Sequence, residues 1–108
     1  MTFDTITEEA FVNPTVALAV VLMASELYYH QETESPIQDA VYEHLLKFIQ
    51  EKRPEHPWFD AFTEDHFSSS SIGDIIPKHL VEPAKQWATG NLCLSDLMGV
   101  IDKGWGNG

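Results

Sequence analysis

The sequence predicts an all-α fold, a compact single-domain bundle of about four to six helices around a central apolar helix near residues 14–30. Three observations carry that expectation. Val16 to Ala24 is an unbroken apolar run, longer than most strands and well short of the roughly 20 residues that cross a bilayer. Helix-start signatures recur along the chain, whereas no alternating strand of useful length and no hairpin turn between apolar runs occurs. The 108 residues fit one domain, and 44% hydrophobic residues with 3 Trp, 3 Tyr and 6 Phe supply enough apolar surface to offset the entropy of ordering the chain.

The first helix is expected from Thr5-Ile6-Thr7-Glu8, a capping box whose hydroxyl and carboxylate satisfy free amides, and should run to about Val12. Asn13-Pro14 ends it and opens the next, with Asn13 as cap and Pro14 in the first helical position. Val16 to His30 is then apolar on nearly every face, as a helix wrapped by others must be, and Ala17, Ala19 and Ala24 read as core packing. After the polar link Gln31 to Glu34, Ser35-Pro36-Ile37-Gln38 forms a second capping box. Ile37, Val41, Leu45, Phe48 and Ile49 make one apolar stripe of a helix that stops before Pro54. Trp58, Phe59 and Phe62 predict one or two helical turns, and Ser71 is a candidate cap for a short helix ending near Pro77. A helix starting near Pro83 should bury Ala84 and Trp87 and close at Gly90. Ser95 should cap Asp96 to Lys103, with Leu97, Val100 and Ile101 inward, and residues 104–108 should form a frayed tail.

The residues offer no active site, so the chain is not expected to be an enzyme and no cofactor is expected. Nothing matches a nucleophile elbow, a phosphate-cradling glycine loop or a dinucleotide fingerprint. Lone Cys93 forms no internal disulfide, shares no thiolate zinc site, and between Leu92 and Leu94 reads as inert packing. Glu26 and His30 stand one helical turn apart, yet the H-E-x-x-H spacing is missing; no metal site is expected, although a metal-dependent helical enzyme using Glu26, His30, Glu43 and His44 is the alternative of another class. Met1 to Ala10 carries acids and no Lys or Arg, the wrong sign for a leader peptide, so a cytoplasmic location is expected.

The informative feature is charge. Seventeen acids against six bases give a net charge of −11, which repels nucleic acid and anionic lipid, so direct binding to either is not expected without a bridging metal. Eight of the acids precede the first base, Lys47, and a second base-free stretch runs from Pro54 to Pro77. Net charge aids solubility, but uncompensated like charges also destabilise a compact fold, and here they accompany aromatic residues. Tyr28 and Tyr29 precede Glu32 and Glu34, and Trp58 and Phe59 precede Asp60 and Glu64. Exposed rings that bury area on binding, inside an acidic rim, are the composition of a surface that meets a basic protein. The candidate partner-binding residues are Glu26, Tyr29, Glu32, Glu34, Asp39 and Glu43 in the first stretch, and Trp58, Asp60, Glu64 and Asp65 in the second. One of Tyr28 and Tyr29 is expected to point inward.

In its acidic Glu26-Leu27-Tyr28-Tyr29-His30 to Glu43 stretch and its Trp58 to Asp65 stretch, the chain resembles the small helical immunity proteins of bacterial toxin systems, of colicin or contact-dependent-inhibition type. The resemblance implies a cytoplasmic inhibitor (antitoxin) that blocks the active site of a basic nuclease toxin, its carboxylates standing in for phosphates; the sequence leaves the oligomeric state open, with a monomer favoured. A phage-encoded nucleic-acid mimic, such as an anti-CRISPR, calls for the same charge and is the alternative within this class.

Overall fold

The computed structural model describes residues 5–62 and 75–104. Its elements are all helical: α1 (Thr5–Ala10), α2 (Pro14–Tyr29), α3 (Asp39–Lys52), α4 (Pro57–Asp60), a 3₁₀ turn (Lys78–Leu80), α5 (Val81–Ala88) and α6 (Leu94–Lys103). No strand occurs among the described residues. The expected caps at Ser71 and the residues 105–108 of the expected tail lie outside the described residues, whereas Gly104 is buried.

Helix α2 is the axis of the fold. Asn13 begins it, its side-chain oxygen accepting from the Thr15 and Val16 amides at 3.0 and 3.4 Å, with Pro14 at the first helical position. Val16 through Leu27 is then buried without interruption. Each large aliphatic side chain so enclosed contributes roughly 1.5–3 kcal/mol, and truncating one such as Leu22 to Ala costs about 2–5 kcal/mol because the surrounding helices cannot collapse into the void. An apolar cylinder needs a complete jacket, and α1, α3, α5, α6 and the 3₁₀ turn all pack against it. Ala17, Ala19 and Ala24 are sealed within this jacket. Among the described residues no helix is long and apolar enough to cross a membrane.

Three expected starts move. Thr5, expected as a cap, is already the first residue of α1. The Ser35 capping box does not form, and α3 begins at Asp39 behind Gln38, which makes no side-chain cap. The reason is tertiary. Ile37 is drawn into the core, and the Ser35 hydroxyl donates to the Ile37 carbonyl at 3.0 Å instead of accepting from a helix amide. Ser95 is likewise inside α6, whose N-cap is Cys93, because Leu94 packs against the core and starts the helix early. Cys93 is exposed rather than packed. Helix α5 starts at Val81, two residues ahead of Pro83, with Ala84 and Trp87 buried as expected. Beyond its end Gly90 takes φ +79°, the left-handed conformation that suits a residue without Cβ.

The reversal between α3 and α4 combines a left-handed Arg53 (φ 51°), whose guanidinium lies 5.9 Å from the Phe59 ring centroid, with buried Pro54 and His56. His56 caps α4: its Nδ1 accepts from the Trp58 amide at 3.1 Å, so the proton sits on Nε2, which donates to the Ile101 carbonyl at 2.9 Å. One imidazole thereby ties α4 to α6.

Candidate functional site

Where α2 leaves the core, its last turn, the following loop and the outer face of α3 enclose an open groove of about 1040 Å³. Helix α2 is sealed up to Leu27, and the next two residues emerge into solvent. Tyr28 is 71% exposed and Tyr29 39%. Neither is buried, contrary to the inward expectation for one of them, because the burial of α2 ends at Leu27, two residues before the helix does. The two rings meet edge to face, 4.8 Å between centroids at 89°, a geometry that satisfies both quadrupoles and fixes their mutual orientation.

With the rings, Glu34 on the loop and Asp39 and Glu43 on α3 line the groove, all three exposed. Asp39 also lies in the first turn of α3, where the helix dipole favours a negative charge. Lys47 completes that side one turn beyond Glu43, yet no ion pair forms between them; among the described residues the ion pairs are Glu26–His30 and Glu82–Lys85. The groove carboxylates are therefore unneutralised at contact range.

The floor is Ser25 and Tyr42. The Ser25 hydroxyl donates to the Val21 carbonyl at 2.9 Å, which leaves its oxygen to accept from the Tyr42 phenol, also at 2.9 Å. Burial pushes the Tyr42 phenol above its ordinary value of 10.0, the nearby Tyr29 phenol adding to the rise and the Ser25 bond opposing it.

Of the expected contact residues, Tyr29, Glu34, Asp39 and Glu43 thus share one groove. Glu32 is exposed on the adjoining loop, outside the groove lining, with φ 50°. Glu26 requires correction, since only 4% of it is exposed. Its Oε1 accepts from His30 Nδ1 at 2.6 Å and its Oε2 from Gln31 Nε2 at 3.0 Å. A carboxylate held this way fixes the chain leaving α2, where Thr33 N–H also reaches back to the Leu27 carbonyl at 2.8 Å, and is not offered to a partner. Trp58 is corrected too. Only 8% exposed, it packs at a tilt against the His56 ring, 4.5 Å between centroids, and lies over Gly104, and neighbouring Phe59 is buried as well. Asp60 is exposed at the end of α4, while Glu64 and Asp65 lie outside the described residues.

Tyr42 and Lys47 were not singled out from the sequence. Tyr42 flanks the Val41–Leu45 stripe of α3, and that flanking position is the signal that places a polar aromatic at the rim of a helix contact. His44, one of the possible metal ligands, packs against the Phe11 ring at 5.5 Å, and among the described residues no three His, Cys, Asp or Glu side chains gather as a metal site would require. Comparison with known proteins found no matching family model, no matching curated protein and no matching solved structure.

Proposed function

We propose that this chain is an acidic protein-binding inhibitor that neutralises a basic partner, acting in the cytoplasm as an immunity protein that blocks the active site of a bacterial nuclease toxin. The observation that supports this reading is the exposed edge-to-face Tyr28/Tyr29 pair set beside the unpaired carboxylates of Glu34, Asp39 and Glu43 in one open groove. Exposed rings supply area that is gained only on binding. The carboxylates speed encounter with a positively charged cleft and occupy the places of substrate phosphates.

The test is affinity capture from the native host with the wild-type chain and the Glu34→Lys/Asp39→Lys/Glu43→Lys variant in parallel, followed by stopped-flow association with the captured partner. The expected partner is a basic nuclease held by the wild type alone, its cleavage blocked by the wild type, with an on-rate that falls steeply once the screening length drops to about 8 Å at physiological salt. Equal capture by the variant, or an on-rate indifferent to salt, overturns the reading. Stability should change by no more than about 0.5 kcal/mol per site, as for exposed positions generally.

A further inference from the structure

We infer that the groove selects an arginine-bearing segment of its partner over a lysine-bearing one, a guanidinium stacking on the Tyr28/Tyr29 pair while Glu34, Asp39 and Glu43 accept its N–H groups; the inference rests on the protein-binding reading above.

A carboxylate cluster attracts any cation, so charge alone draws no distinction between the two basic side chains. The rings do. An ammonium is a compact, strongly hydrated charge, whereas a guanidinium is flat, weakly hydrated and carries five donors in one plane. It can lie on a tyrosine face and still direct donors sideways into carboxylates. The groove has both components, because the exposed tyrosine pair and the three carboxylates line the same opening. The rings are already oriented by their edge-to-face contact, which reduces the entropy lost when a cation docks on them.

Two further observations narrow the occupant. Glu34, Asp39 and Glu43 form no ion pair among the described residues, so Lys47, the cation in the groove's own lining, leaves them unneutralised at contact distance. The floor makes no demand of its own, since Tyr42 and Ser25 satisfy each other and Val21, and no described buried side-chain polar atom lacks a partner. Recognition is therefore left to the rim. At about 1040 Å³ the opening reaches the top of the roughly 300–1,000 Å³ range of clefts for drug-sized ligands, room for a short extended peptide rather than one side chain.

The experiment is a fluorescence-anisotropy titration of the full chain with two labelled peptides, alternating Arg-Gly and alternating Lys-Gly, matched in length and charge. The arginine peptide is expected to bind about fivefold tighter. That ratio should fall toward one in Tyr28→Leu/Tyr29→Leu, while Glu34→Gln/Asp39→Asn/Glu43→Gln weakens both peptides alike. If the double tyrosine variant does not fold, Tyr28→Leu alone decides, its ring standing largely in water, and an unchanged ratio there overturns the inference. Equal affinities in the wild type, both lost when the acids are neutralised, overturn arginine selection and leave the basic-partner reading standing. Peptide binding that ignores the neutralised acids overturns both.

Discussion

The two places where aromatic residues run into acids have opposite fates. At the end of α2, Tyr28 and Tyr29 stand in solvent beside carboxylates without ion pairs. At α4, Trp58 and Phe59 turn inward, while Glu55 and Asp60 of the neighbouring acids stay exposed. Local sequence character is the same, and the difference lies in what each segment is tied to. The α2 rings project past the end of the helical jacket, whereas α4 is a four-residue helix anchored by His56 to the Ile101 carbonyl, 45 residues away in sequence. An aromatic pair among acids marks a binding surface only where nothing in the same chain has already claimed the rings.

The comparison breaks most forcefully at Trp58. Trp58→Ala should cost about 3–5 kcal/mol of unfolding free energy, read by chemical denaturation, because it empties a sealed site. Gly104→Ala should act in the same direction by about 1–3 kcal/mol, since an added Cβ would collide with the Trp58 ring and with His56 Cε1. Conversely, Tyr28→Ala should leave stability within about 0.5 kcal/mol. A Trp58→Ala protein as stable as wild type would mean that the α4 aromatics are not structural, and would reopen the second acidic stretch as a contact surface.

How far the sequence foretold this contrast depends on which physical signal each residue gives. The central helix was legible because an apolar run too short for a membrane has one use in a small domain, and the Asn13 cap was legible because Pro14 leaves no competing conformation. The Ser35 box has a proline in the same place and fails, since burying Ile37 outweighs a capping bond worth about 1 kcal/mol. The outward turn of both Tyr28 and Tyr29 was hidden for a related reason. A helix that is apolar all round has no polar face to set its phase, so periodicity is silent on which of two adjacent residues emerges, and only the length of the surrounding helices decides. Trp58 was hidden because its partners, His56 and Gly104, come together only in the folded chain.

Glu26 sharpens the contrast from the other side, as an acid of the first stretch that is used internally. Glu26→Ala removes the acceptor of both His30 and Gln31 and should cost about 1–3 kcal/mol, with faster hydrogen exchange at residues 30–34. Glu26→Gln should retain part of the loss, because its amide nitrogen faces one of two donors that formerly shared a carboxylate. Partner affinity should fall in both variants through loosening of the loop that carries Glu34. Normal exchange in Glu26→Ala would show instead that the loop is held by backbone bonds such as Thr33 to Leu27 alone.

Among the buried contacts the smallest effect is expected at Tyr42, which sits between the buried and the exposed halves of the groove. Tyr42→Phe loses the hydrogen bond to Ser25 while keeping the ring, a change of about 0.5–1.5 kcal/mol. Because folding raises the pKa of this phenol above 10.0, the unfolded chain releases its proton first as pH climbs. The folded state then binds more protons than the unfolded one, so the contribution is fully present below pH 10.0 and is lost as pH rises through the folded value. Denaturant midpoints measured on both sides of that pH should therefore converge between wild type and Tyr42→Phe on the alkaline side. A constant difference across the range would mean that the phenol is as well solvated in the fold as out of it, and that the groove floor is open to water beneath the tyrosine pair.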